Sequence, residues 1–263
     1  MLRYRIASAL ILIPLILGSV YFGGLAFFAA VAVALLIAGY ELFQMARHAG
    51  YRPMPVIGLA LIALILLDAY WQSAWLRPLL TAALVVSLAV GIFRHGEGWL
   101  TGWAITLAGA LYVGWIGAHF LLVRALPNGM QWTMATLVTA WAADTGAYAF
   151  GKRYGRHGFF TAVSPKKTWE GAIGGWVSAT LMMLVIGQFS GLSVSVAHSL
   201  TFGFGIGIAA AAGDLAESLL KRQTGVKDSS DILPGHGGVL DRIDSLLFAA
   251  AFAYYYLVWV LCV

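Results

Sequence analysis

From Ser218 to Asp244 the chain reads SLLKRQTGVKDSSDILPGHGGVLDRID, one long polar run in a sequence that is 61% hydrophobic and only 10% charged. Three kinds of chemistry are spaced along it: the basic residues Lys221, Arg222 and Lys227, the turn Pro234, Gly235, His236, Gly237 and Gly238, and the acids Asp241 and Asp244. Acids at i and i+3 share a helical face, where two carboxylates repel unless a cation lies between them. Oxygen donors without soft atoms nearby suit a hard ion such as Mg2+. Glycines let backbone N–H groups turn towards an anion, and lysine and arginine add positive charge. The run therefore holds the parts of a phosphate and metal site. A plain loop between two membrane helices explains the basic residues alone, but it has no need of paired acids at the mouth of an apolar helix.

Of the 11 acidic residues, eight follow position 140: Asp144, Glu170, Asp214, Glu217, Asp228, Asp231, Asp241 and Asp244. Asp144 stands eight residues before Lys152 and Asp214 seven before Lys221. At 1.5 Å per residue both lie about 10 to 12 Å below the same membrane surface. A carboxylate at that depth costs roughly 2.5 to 3.5 kcal/mol on insertion scales, so each should face a water-filled cavity or a cation. The expectation is that Asp144, Asp214, Asp241 and Asp244 converge beneath that surface, with Glu217 in a supporting position. A structural hydrogen bond or ion pair is the plainer alternative for Asp144. Ser164, followed by Pro165, Lys166 and Lys167, reads as a helix N-cap with proline at the first helical position, which would aim free N–H groups and two lysines at a phosphate. His236, beside two glycines, is assigned to phosphate contact, and the other five histidines to structural roles.

Across all 27 positions from Ser218 to Asp244 the run resembles the C-terminal signature of phosphatidate cytidylyltransferases, the CDP-diacylglycerol synthases. Ser164-Pro-Lys-Lys-Thr-x-Glu-Gly171 and Gly213-Asp-Leu-x-Glu-Ser218 look like further motifs of that family, which extends the resemblance from about Asp144 to Asp244. The first 130 residues are similar in hydropathy alone. The resemblance implies a Mg2+-dependent transfer from CTP to phosphatidate, giving CDP-diacylglycerol and pyrophosphate. It places Asp144, Asp214, Asp241 and Asp244 at the metal, with room for a second cation, K+ or Mg2+. Ser164, Lys166, Lys167, Ser218, Lys221, Arg222, Lys227, His236, Gly237, Gly238 and Arg242 fall to substrate binding, and Lys167 also to catalysis with Asp214, Asp241 and Asp244. Relief of like-charge repulsion should make Asn variants of Asp241, Asp244 or Asp214 slightly more stable without metal.

A chain of 263 residues with mean hydropathy +0.85 is outside the range of soluble domains. The expected fold is all-α and polytopic. At about 20 apolar residues per span there is room for about nine, drawn at 6–22, 24–44, 55–70, 76–93, 100–123, 131–151, 170–190, 196–221 and 244–262. With the N-terminus in the cytoplasm, 14 of the 16 basic residues fall on the inside, leaving only Arg77 and Arg124 outside. Arg3 and Arg5 before an apolar run imitate a signal peptide, but no small-residue cleavage site closes it, so the run reads as an uncleaved first span. Residues 1–130 are expected to be a transmembrane scaffold and 131–263 the catalytic region of one continuous membrane domain. Gly171-x-x-x-Gly175, Gly203-x-x-x-Gly207 and Ala209 to Gly213 give helices smooth faces for close packing. A lone cysteine, Cys262, rules out an intrachain disulfide.

Net charge +5 and a pI near 9.4 follow from basic loops, so nucleic acid is set aside. The expected partners are CTP, phosphatidate and membrane lipids, the assembly a homodimer, and the location a bacterial-type inner membrane with the site facing the cytoplasm. A cation-coupled transporter would place its acids near the midplane within repeated halves, whereas these hug one face and no repeat is visible. A polyprenol kinase would share the need for lipid and nucleotide, and only the full signature argues against it.

Overall fold

The computed structural model describes residues 2–93, 96–192, 194–232 and 237–262, with side chains from residue 12 onward. The described chain runs through helices α1 (Leu2–Phe22), α2 (Gly24–His48), α3 (Pro55–Trp71), α4 (Leu76–Phe93), α5 (Trp99–Ala125), α6 (Gly129–Tyr154), α7 (Trp169–Phe189), α8 (Val196–Gln223) and α9 (Leu240–Trp259). No strand forms among the described residues. One isolated antiparallel bridge joins Gly158 to Thr168.

Among the described residues five helices, α2, α4, α5, α7 and α8, are long and apolar enough to cross a membrane. The chain is a multi-pass membrane protein. Breaks between helices carry local causes. Gly23, at φ 64°, separates α1 from α2, and Pro55 stands in the first turn of α3, where its missing N–H is not needed. Past the end of α3, Asp68 Oδ1 accepts from Ser73 Oγ at 2.9 Å and Trp75 N at 2.6 Å, which closes the turn into α4. Residues Leu111–Trp115 of α5 form a π-helical turn.

The chain divides into two compact units: Met1–Leu122 with Lys221–Asp241, and Val123–Leu220 with Arg242–Val263. Within the first, helices approach through glycine. A Cβ on Gly58 would fall 2.3 Å from the Phe43 ring, and one on Gly114 3.1 Å from Ile62 Cα. Within the second, the small-residue faces read from sequence are the packing faces. Gly171 and Gly175 of α7 lie against the carbonyls of Ala147 and Ala143 on α6, each 2.9 Å from a notional Cβ. Gly203 and Gly207 of α8 lie against Ala179, Thr180 and Trp176 of α7. In a membrane such contacts supply van der Waals attraction, since lipid tails remove the hydrophobic drive between helices.

Candidate active site

In the second unit three helices and one loop bring acids together. Helices α8 and α9 meet backbone to backbone, where a Cβ on Gly213 would lie 2.4 Å from the Asp244 carbonyl and 3.1 Å from Ser245 Cα. Only glycine allows that crossing, and it seats Asp214, the next residue, beside the start of α9. Ser245 then reaches α6, its Oγ donating to Asp144 Oδ2 at 3.0 Å. Asp244 Oδ1 accepts from Ser245 N at 2.7 Å, and Asp244 is buried. Asp214 Oδ2 lies 2.9 Å from Lys167 Nζ, while its other oxygen accepts from Ser218 Oγ at 3.3 Å. Asp144 is accessible on one side yet otherwise ringed by protein, within electrostatic reach of Asp214, Lys167 and Arg242. Glu217, one turn beyond Asp214, is fully buried. Asp144, Asp214, Lys167 and Ser245 thus form one constellation, and Ser245 is a member that the motif reading did not single out.

Lys167 owes its place to a stapled loop. Phe159 N donates to Lys167 O and Trp169 N to His157 O, both at 2.9 Å. The Glu170 carboxylate accepts from Arg156 N at 3.1 Å and His157 N at 3.3 Å, and pairs with His157 Nδ1 at 2.5 Å. Ser164 does not begin a helix. Residues 164–167 form a turn closed by Lys167 N on Ser164 O at 3.2 Å, and α7 starts at Trp169 with Thr168 as N-cap, its Oγ1 accepting from Gly171 N at 3.2 Å. Ser-Pro suits the opening of a turn as well as the opening of a helix, and the bridge at Thr168 selects the turn. The turn also separates the two lysines. Lys166 faces outward, whereas Lys167 points inward, and its buried ammonium has an ion-pair partner but no aligned hydrogen-bond acceptor among the described residues.

In the first unit the acid is Asp241. Its Oδ1 accepts from Lys221 Nζ at 2.6 Å, and its Oδ2 from Ser229 N at 2.8 Å, Ser229 Oγ at 2.9 Å and Gly238 N at 2.8 Å. The side chains of the pair are only 12% and 6% exposed. Gly237 has φ 77°, and a Cβ there would meet Asp241 Oδ2 at 2.7 Å. The expected gain in stability on replacing Asp241 by Asn is therefore corrected. An amide would present N–H groups to the same backbone donors and strip a buried ammonium of its partner. The glycines act here by letting backbone approach a carboxylate, and the Gly238 N–H is given to Asp241.

Arg222 and Lys227 are exposed, as is Arg242, while Ser164 is partly covered and Ser218 buried. His236 lies outside the described residues. Of the remaining histidines, His119 Nδ1 sits 3.0 Å from the carbonyls of Trp115 and Ile116, and His198 Nδ1 2.9 Å from Tyr256 Oη, in keeping with structural roles. Among the described residues no group of three or more acidic, histidine or cysteine side chains is gathered closely enough to hold a metal ion. The donors offered by Asp144, Asp214 and Asp244 are all hard oxygens, the chemistry Mg2+ selects.

Comparison with known proteins covers the same residues. The model of the cytidylyltransferase family matches residues 3–260. A phosphatidate cytidylyltransferase of Synechocystis is 33% identical over 98% of this chain and 97% of the relative. That of Pseudomonas aeruginosa is 36% identical over 95% of this chain and 94% of its own, and that of Staphylococcus epidermidis 31% identical over 94% and 95%. With the match running from the first helix to the last and taking in every motif that carries the acids and lysines, this chain belongs to the cytidylyltransferase family.

Proposed function

We propose that this protein makes CDP-diacylglycerol and pyrophosphate from CTP and phosphatidate. The observation that carries the reading is a family match over residues 3–260, joined to near full-length relatives named phosphatidate cytidylyltransferase. A phosphatidate oxygen attacks the α-phosphorus of CTP, a new P–O bond forms, the bond from that phosphorus to the bridging oxygen of the β-phosphate breaks, and pyrophosphate leaves with the electron pair. A phosphomonoester with a second pKa near 6 is already largely ionised at neutral pH, so the nucleophile needs no strong base. What remains for the protein is positioning and charge neutralisation.

Lys167 supplies both. Its ammonium is buried and ion-paired with Asp214, without an aligned acceptor among the described residues, so a phosphate oxygen would complete its hydrogen bonding. Asp144, Asp214 and Asp244 would hold Mg2+, which when bound neutralises charge on the reacting phosphates. Asp241, whose oxygens are filled by Lys221, Ser229 and Gly238, is left out of this set. A second cation, K+ or Mg2+, fits the surplus of acid. Ser164, Ser218, Arg222, Lys227, His236, Gly237 and Arg242 complete the proposed substrate contacts, while apolar helix walls admit the acyl chains.

The chain would cross a bacterial-type inner membrane about nine times as a homodimer, with the N-terminus and the site facing the cytoplasm, following the basic residues. A cysteine placed at position 227 should then be labelled only from the cytoplasmic side and Cys262 from the other; labelling of position 227 from outside intact cells would overturn that orientation. The activity itself is tested with purified protein, phosphatidate, Mg2+ and CTP labelled at either the α- or the γ-phosphorus. Label from the α-position in lipid supports the reading. Label from the γ-position alone would make the enzyme a lipid kinase.

A further inference from the structure

A groove of about 630 Å3 runs between α6 and α7 in the second unit. On α6 its floor is a stripe in which Val138, Ala142, Thr145 and Ala149 recur at spacings of three and four, one face of a helix. On α7, itself apolar enough to cross a membrane, the wall includes Leu181 and Val185, both more than half exposed. From Val138 to Ala149 the stripe covers about 16 Å, against a hydrocarbon core of roughly 30 Å. The groove is therefore about as long as one leaflet is deep.

The stripe changes character at the C-terminal end of α6. Lys152 and Arg153 stand three and four residues beyond Ala149, so they continue the same face, and both are exposed. Among the described residues neither has a carboxylate partner. Lys152 Nζ lies 5.6 Å from the centre of the Tyr148 ring, and Arg153 Cζ 5.8 Å from that of Tyr154. Those tyrosines are exposed, the placement of aromatic residues at the level of lipid headgroups. Two cations without acids, at the mouth of an apolar groove one leaflet long, complement a lipid with an anionic headgroup. At 3.6 residues per turn Asp144 points about 140° around α6 from Ala149, so the groove opens on a different side of the helix from that carboxylate.

We propose that the groove between α6 and α7 binds an anionic phospholipid of the surrounding bilayer, with an acyl chain along the stripe and the headgroup phosphate at Lys152 and Arg153. The site is distinct from the one that acts on CTP and phosphatidate: its lipid is held and not turned over.

The full-length enzyme, stripped of lipid in detergent, is compared as wild type, as the double variant Lys152→Gln with Arg153→Gln, and as Ala149→Phe, which fills the groove and keeps the charges. Native mass spectrometry follows binding of dioleoylphosphatidylglycerol, dioleoylphosphatidylcholine and inorganic phosphate, the two lipids sharing acyl chains and differing in charge. At about fivefold per basic residue, wild type should prefer the anionic lipid by about 25-fold, and the double variant by less than about threefold. Ala149→Phe should weaken both lipids by about 10-fold. In the double variant kcat and the KM for each substrate should stay within about threefold of wild type. Equal binding of the two lipids by wild type would overturn the proposal, as would inorganic phosphate bound as tightly as the anionic lipid. A KM for phosphatidate raised about 10-fold in the double variant would make the groove part of the substrate site and overturn it as well. Loss of a dimer in Ala149→Phe with lipid binding unchanged would give the groove to a second copy of the chain instead. If Ala149→Phe does not fold, the double variant, altered only at exposed residues, decides by itself.

Discussion

In the first unit, Glu41 and Asp241 accept from four backbone N–H groups, two serine hydroxyls and one ammonium. In the second unit, Asp144 receives one hydroxyl, and Asp214 one long hydroxyl contact and one ammonium. The same functional group is therefore used in two ways. Carboxylates filled by main-chain donors fix the path of a loop, and removing one leaves several backbone groups without partners. Carboxylates met only by side chains keep acceptor capacity, and side chains can swing aside for a cation or a phosphate. The distinction lies in the donors, since all four acids are aspartate or glutamate on helices of a membrane protein.

The sharpest test of that difference is Asp241→Asn. It breaks a buried ion pair and turns an amide towards Ser229 N and Gly238 N, so it should cost about 3 to 5 kcal/mol of stability and carry activity down with it. A lowered thermal unfolding midpoint in detergent is the expected reading; an unchanged midpoint would put Asp241 in the same class as the second-unit acids. Asp214→Asn should behave differently. Its side chain is 39% exposed and its partner Lys167 23%, so water softens the loss of the pair. The variant should unfold near the wild-type temperature, while turnover falls on the order of 100-fold. The lysines of the turn extend the comparison to cations. Lys167→Gln should weaken use of limiting substrate by about 10- to 100-fold, the scale of a charge-assisted hydrogen bond. Lys166→Gln, on the outward face, should change it by less than about threefold. Equal losses at both positions would mean that the turn contributes charge rather than one placed ammonium.

Much of the fold was legible because helix ends and small-residue faces are local features. The apolar segment drawn at 76–93 is α4, and the Gly-x-x-x-Gly pairs mark the surfaces of α7 and α8 that meet their neighbours. The acids Asp144 and Asp214, paired by depth from the positions of basic residues, do share one constellation. Ser164 was misleading because its neighbours are compatible with a turn or a helix start, and the choice is made by Glu170 and Thr168 after it. The partners of Asp241 could not be read locally. Ser229 and Gly238 lie within its own motif, but Ser229 and its neighbours Ser230, Val239 and Leu240 also meet Glu41, 188 to 199 residues away. A charge within the apolar stretch of α2 was the available signal, since ionised groups in spans are rare without a task.

The central claim, that Asp144 and Asp214 serve the cation while Asp241 is filled by main-chain donors, is tested most directly by thermal unfolding of wild type, Asp214→Asn and Asp241→Asn across a Mg2+ titration. The account predicts a wild-type midpoint that rises with Mg2+, an Asp214→Asn midpoint near wild type without Mg2+ and flat as it is added, and an Asp241→Asn midpoint that begins well below both. An Asp214→Asn protein that still responds to Mg2+ like wild type, or an Asp241→Asn protein as stable as wild type in its absence, would contradict it.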